Sequence, residues 1–211
     1  MTGKIYLGCN PSVMDGTEHI FEPAKSLVLP TEYSFKNQMS PVLNQGATNM
    51  CVTYALGSHI DWNINMDKGT KSKDNNVDRK SIYSARTISG DNGMTFKEAL
   101  GYVKKTGVKT NVGLVKIDHY AKIGSILALK QALLVNGPCL GGLMVYNNYT
   151  NFWIKGFGDS ALGGHAITIV GFNKDGFIIR NSWGTSYGQG GYAVMKYEDF
   201  NNFFELWTII D

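Results

Sequence analysis

Gln45-Gly46-Ala47-Thr48-Asn49-Met50-Cys51-Val52-Thr53-Tyr54-Ala55-Leu56 is the stretch on which the fold turns. From Asn49 onward, Val52, Ala55, Leu56, His59 and Ile60 recur at helical spacing. Asn49 is the expected N-cap, which places Cys51 in the first helical turn. The positive end of the helix dipole favours a thiolate there. A cysteine entering an amphipathic helix is also a common small buried hydrophobe, so the helix alone does not decide its role.

The deciding partners lie more than about a hundred residues downstream, as they do for a thiol nucleophile brought to its base by the fold. Gly163-Gly164-His165-Ala166 opens a β-branched run to Phe172, and Phe177 to Arg180 leads into Asn181-Ser182-Trp183-Gly184. Between them Asn173-Lys174-Asp175-Gly176 reads as a hairpin turn. The hairpin brings His165 and Asn181 to the same end. An Asn that accepts the ring N–H fixes the tautomer of a catalytic imidazole. Of the other histidines, His59 is about two turns past Cys51, roughly 12 Å away, and reads as a core residue. His19 falls in an irregular arm and His119 in a polar connection. Gln45 can fold its amide back over the nucleophile and donate to an oxyanion beside a backbone N–H.

Helices are expected over 79–88, 95–105 and 124–135, and strands over 139–146, 166–172, 177–180, 192–197 and 206–210. Helices in the first half and strands in the second give an α+β layout of two lobes. Residues 1–28 read as an irregular arm, closer to a partly ordered terminus than to a functional element. The domain then runs over 29–211, with a helical lobe at about 45–120. The β lobe covers about 121–211 together with 29–44.

Composition narrows the class. The 211 residues are 43% hydrophobic and 18% charged, with net charge +3, as expected of a globular protein. Lys68, Lys71, Lys73, Arg79 and Lys80 alternate with Asp67, Asp74 and Asp78, so a solvated loop is expected rather than a nucleic-acid surface. Cys9, Cys51 and Cys139 cannot all pair internally and lack metal-ligand spacing. No apolar h-region or membrane-length segment is visible, which points to a reducing, cytoplasmic setting, or a host cytoplasm or virion for a viral protein.

Together these residues resemble the papain family of cysteine peptidases. Three blocks carry the resemblance: Pro41 to Gly46 followed by Cys51, then Gly164-His165-Ala166 with Val170-Gly171-Phe172, and Ile179 to Thr185 followed by Gly188, Gly191 and Tyr192. The resemblance implies a papain-like fold with a cleft between a helical lobe and an antiparallel, barrel-like β lobe. It implies Cys51 as nucleophile, His165 as base and then acid, Asn181 as orienter, and Trp183 as a shield. Gln45 and the Cys51 N–H would form the oxyanion hole. Asn92, Gly93 and Met94 would line the substrate strip, and Gly164 the space beside the base. Thr48 stands where the family has a disulfide cysteine, and Met50 where it has a small serine. Only about 28 residues precede the matching region, so the family's long inhibitory segment is not expected. This short pattern looks more like divergent bacterial or phage members.

The function expected is hydrolysis of peptide or protein substrates through a thioester, with no metal or organic cofactor. Neither nucleic acid nor a membrane is an expected partner; a viral or bacterial assembly is an allowed one. The rival is a catalytically silent papain-fold module that binds peptides or serves structure. Tyr146, Tyr149, Phe152 and Trp153 are expected as an aromatic rim, with Phe203 to Trp207 supplying further pocket wall.

Overall fold

The long α1, Cys51–Asp67, is buried on nearly every side, because its apolar residues are joined by Gly57, Ser58 and small side chains. It is the central post of the fold. The structure, a computed structural model, describes residues 6–67, 75–146 and 151–211. Lys68, Lys71, Lys73, Asp74 and Tyr149 therefore lie outside the described residues.

Before α1 come β1 (Cys9–Asn10) and β2 (Tyr33–Ser34). After it come α2 (Arg79–Ser84), β3 (Met94–Thr95), α3 (Phe96–Lys105), β4 (Val108–Thr110), β5 (Gly113–Val115) and β6 (His119–Lys122). Then follow α4 (Ile126–Asn136), β7 (Cys139–Val145), β8 (Gly163–Phe172), β9 (Gly176–Arg180), β10 (Tyr192–Lys196) and β11 (Phe203–Ile210). One antiparallel path runs β10-β9-β8-β7-β11-β6, with β2 added to β8. α1 lies against β8, where Thr168 Oγ1 donates to the Ala55 carbonyl at 3.2 Å. One core lies between this helix and the sheet, and a second lies under α4.

Local chemistry explains the element ends. Thr95 and Glu98 close a capping box at the start of α3, a device worth about 1 kcal/mol. Ser125 caps α4 through the Ala128 N–H. The turn at Asn173 closes as expected, with its side chain accepting from the Asp175 and Gly176 N–H groups.

Several expectations change. Asn49 does not cap α1; its side chain donates to the Asp91 carbonyl instead, and Thr53 bonds back to the Met50 carbonyl. Cys51 is nonetheless the first helical residue. α2 stops at Ser84, short of Ile88. His119, expected in a polar connection, opens β6, and β4 and β5 precede it. Arg79 is not solvated: it is buried and paired with the fully buried Asp61, whose other oxygen accepts the Asn76 and Val77 N–H groups.

The largest change concerns the arm. Described from Tyr6, it crosses both lobes instead of hanging free. β1 pairs in parallel with β3. Farther along, Lys97 Nζ gathers the Val13 carbonyl at 3.1 Å, Asp15 at 3.0 Å and Glu18 at 2.6 Å. Ile20 then bridges to Lys122 on β6, with Phe21 N–H to the Lys122 carbonyl at 2.9 Å.

Candidate active site

The base side of the cleft is built by the β8–β9 hairpin. His165 is the third residue of β8 and is fully buried. Its Nε2 meets Asn181 Oδ1 at 2.7 Å, just past the end of β9. Trp183 stacks on the imidazole, with ring centroids 4.5 Å apart. Phe152 packs edge-on against the same imidazole at 5.5 Å and lies against Trp183 at 5.0 Å. The Asn181 contact is thus sealed from water. Phe152 and Trp153 are fully buried, so they form this aromatic support and not an exposed rim. The other ring nitrogen, Nδ1, is buried with no hydrogen-bond partner. It is the atom left to face a nucleophile.

Cys51, the expected nucleophile, stands at the N-terminal end of α1. Its sulfur is faced by the N–H groups of Ala166, Gly8, Val52 and Cys51 itself. Ala166 directly follows His165, which sets thiol and imidazole beside each other. Burial outweighs those donors and pushes the Cys51 thiol up to about 11. Burial likewise pushes His165 down to about 4, with the Asn181 bond opposing it. In this closed form both groups are neutral at pH 7. Burial thus opposes the activated thiolate expected from the helix dipole.

Gln45 is held in position by Ser182, whose Oγ donates to Gln45 Oε1 at 2.6 Å. The loop carrying Gln45 is fixed by Arg180, which donates to the Ser40 and Pro41 carbonyls. Gln45 Nε2 then points to carbonyls of Thr48 at 2.8 Å and Tyr6 at 3.2 Å. The Tyr6 oxygen therefore occupies one of the donors an oxyanion would use. Met50 packs into the core cluster with Cys51.

The remaining predicted residues meet the arm. The Met94 N–H donates to the Gly8 carbonyl at 2.8 Å, and the Asn92 carbonyl accepts from Asn10 at 2.9 Å. A Cβ on Gly93 would sit 2.3 Å from the Gly8 oxygen, and one on Gly164 would sit 2.0 Å from the Cys9 oxygen. Both positions must be bare for a backbone to pass between them. The backbone passing here is the chain's own, over residues 6–10. Sequence reading missed Ser182 and the arm. Gly8 was the available signal, as a glycine read only as a turn residue. No group of three or more metal-ligating side chains occurs among the described residues.

The family model described as "Papain family cysteine protease" matches residues 8–204. The chain belongs to the papain family of cysteine proteases. Cysteine proteinase 3 of Entamoeba histolytica is 26% identical, over 94% of this chain and 72% of that protein. Human cathepsin O is 28% identical over 91% of this chain and 69% of its own length. A peptidase C1-like protein of Acanthamoeba polyphaga mimivirus is 33% identical over only 38% of this chain and 30% of its own. Among solved structures, xylellain, a cysteine protease from Xylella fastidiosa, superposes with TM-score 0.83 at 24% identity, covering 96% of this chain and 95% of that one. Procathepsin B S9 of Trypanosoma congolense superposes at TM-score 0.79 and 15% identity, covering 98% and 87%. The protein is a cysteine peptidase with the α+β papain-like fold, acting on peptide or protein substrates.

Proposed function

We propose that the peptidase is held latent by its own arm and that Cys51, His165, Asn181 and Gln45 carry its chemistry. The observation that carries the assignment is the shielded His165–Asn181 contact of 2.7 Å, which leaves Nδ1 free beside the nucleophile. Cys51 passes its proton to His165 Nδ1 and its sulfur attacks the scissile carbonyl. The oxyanion is met by Gln45 Nε2 and the Cys51 N–H. His165 protonates the leaving amine, then takes a proton from the water that cleaves the thioester. Asn181 holds the imidazole in one tautomer throughout.

Latency is supported by the placement of Tyr6, Gly8 and Cys9 over these groups. Substrate backbone would pair with Asn92, Gly93 and Met94 only after β1 leaves. Three free thiols suit a reducing, cytoplasmic setting for the chain. The test is hydrolysis of a fluorogenic peptide by the full chain before and after displacement of the arm, with Cys51→Ala as control. Equal and high activity in both forms would remove the latency. Activity that survives Cys51→Ala would remove the assigned nucleophile.

A further inference from the structure

A cavity of about 360 Å³ lies along the second half of α1, and none of Cys51, His165, Asn181 or Gln45 lines it. Its volume falls within the range of small-ligand sites, about 300–1,000 Å³. Three rings form one wall. Tyr33 and Phe35 meet edge-on with centroids 5.0 Å apart, and Phe35 meets Trp62 at 4.8 Å. The Trp62 ring is seated on bare backbone, since a Cβ on Gly137 would sit 2.3 Å from the indole. Gly137 also takes a positive φ of 89°, which suits glycine alone. The aromatic corner is therefore fixed by the fold.

The polar groups around it have a definite sense. His59 is 2% exposed and lines the cavity. Its Nδ1 meets the Pro138 carbonyl at 2.7 Å. A carbonyl only accepts, so Nδ1 carries the hydrogen. Burial holds the imidazole pKa down, with Pro138 and Asp211 opposing, and the neutral ring then keeps a lone pair on Nε2. No described residue hydrogen-bonds that atom. Asp211 is the one charged residue of the lining, and its carboxylate makes no ion pair with a described residue. It accepts only neutral donors, the Asp118 N–H at 2.9 Å and Asn63 Nδ2 at 3.1 Å. Two further donors of the wall are already spent, Trp62 Nε1 on Gln38 Oε1 and Asn136 Nδ2 on Thr208 Oγ1. The buried open atom is thus an acceptor, and the local charge is negative on a chain of net charge +3.

We propose that this cavity is a second binding site, for a small organic amine: its ammonium sits between His59 Nε2 and the Asp211 carboxylate, and its apolar body lies on the rings of Phe35 and Trp62. An ammonium brings three donors and no acceptor, so it answers both groups. Aromatic faces attract the same cation. An anion would meet Asp211 with no lysine or arginine in the lining to offset it. One imidazole and one carboxylate fall short of the ligand set of a protein-held transition metal. The site is independent of the peptidase reading and stands or falls without it.

The test titrates the full chain at neutral pH with phenethylamine, and in parallel with 2-phenylethanol, which keeps the ring and the spacer but carries no charge. Calorimetry reads affinity and amide-resolved NMR reads position. The amine is expected to saturate one site and to shift the Trp62 indole N–H and the Asn63 and Gly137 signals. The alcohol should bind at least about tenfold more weakly. Asp211→Asn, at an exposed position, should weaken the amine by about tenfold and leave the alcohol unchanged. The amine-to-alcohol comparison needs no variant, so it holds even if Asp211→Asn disturbs folding. Equal affinity for the two compounds would reduce the cavity to an apolar hollow and overturn the inference. Absence of saturable binding, or shifts confined to Gly164 and Ala166 at the cleft, would overturn it as well.

Discussion

The corner made by His165, Asn181 and Trp183 and the arm from Tyr6 to Asn10 lie against each other, but they are fastened by different forces. The corner is held by buried side chains: an aromatic stack of His165, Trp183 and Phe152, and hydrogen bonds that water cannot reach. The arm is held by backbone pairing to β3, close glycine contacts and a partly exposed lysine cluster. Burial of large apolar surface makes the corner part of the core. A two-residue strand contributes little on its own, so the arm can detach while the body stays folded. On the latency proposed above, the chemistry is prebuilt and access to it is what varies.

The largest effect should come from the corner's partner, Cys51. A Cβ at Gly8 would sit 2.0 Å from the Asn49 oxygen, so β1 cannot seat in Gly8→Val. In the chain opened by Gly8→Val, Cys51→Ala should lower kcat/KM by roughly 10⁴-fold or more, as should His165→Ala. The double variant should lose little beyond either single one, because the two act as a unit. A surviving rate in Cys51→Ala would place the nucleophile elsewhere.

A stability test separates the body from the arm. Asp61→Ala leaves Arg79 buried without its partner, which typically costs about 3–5 kcal/mol. The melting temperature should fall by on the order of 10 °C, while Gly8→Val should move it much less. Equal shifts would mean that the arm is as integral as the core.

Opening the arm should change reactivity more than stability. With the Cys51 thiol pushed to about 11, roughly one molecule in 10⁴ carries the thiolate at pH 7. Letting water in removes the burial that raises Cys51 and depresses His165. Alkylation of Cys51 by iodoacetamide, read by mass spectrometry, should therefore be slow in the natural chain. It should run about a hundredfold faster in Gly8→Val, a change of about 2.7 kcal/mol in barrier. Its pH midpoint should move down. Unchanged labelling would show that the arm does not guard the thiol.

This contrast also explains what the sequence made legible. His165 and Asn181 sit at the two ends of a hairpin, so local turn chemistry at Asn173 and Gly176 was enough to bring them together. Cys51 at the head of α1 followed from helical periodicity. Long-range pairing left no such local trace. β1 is two residues long, and its partner Met94 is 85 residues away, by the difference of their numbers. Gly8 reads as a turn residue, Gly93 as part of a substrate strip and Gly164 as space beside the base, and only the fold reveals that the chain's own backbone runs between the last two. Phe152 and Trp153 failed for a related reason: aromatic composition looks the same in a rim and in a core.

The smallest expected effect concerns the outer hold on the arm. Lys97 bonds Asp15 and Glu18; its contact holds the Glu18 carboxyl down near 2, while hydrogen bonds from Thr17, and then from Lys97, hold that of Asp15 lower still. A depressed carboxyl contributes above its unfolded pKa and loses that contribution as pH falls through the folded value. The Lys97 cluster should therefore be intact from neutral pH to about 5, weaken below about 4.5, and be lost near 2. Acidification from pH 7 to 5 should not release the arm by this route. Salt should loosen it somewhat, since exposed pairs are screened. Lys97→Ala should speed Cys51 labelling by only about threefold, as expected for a surface ion cluster, and should remove most of its salt dependence. If Lys97→Ala matched the full effect of Gly8→Val, the hold on the arm would lie in its charges and not in the backbone seated between Gly93 and Gly164.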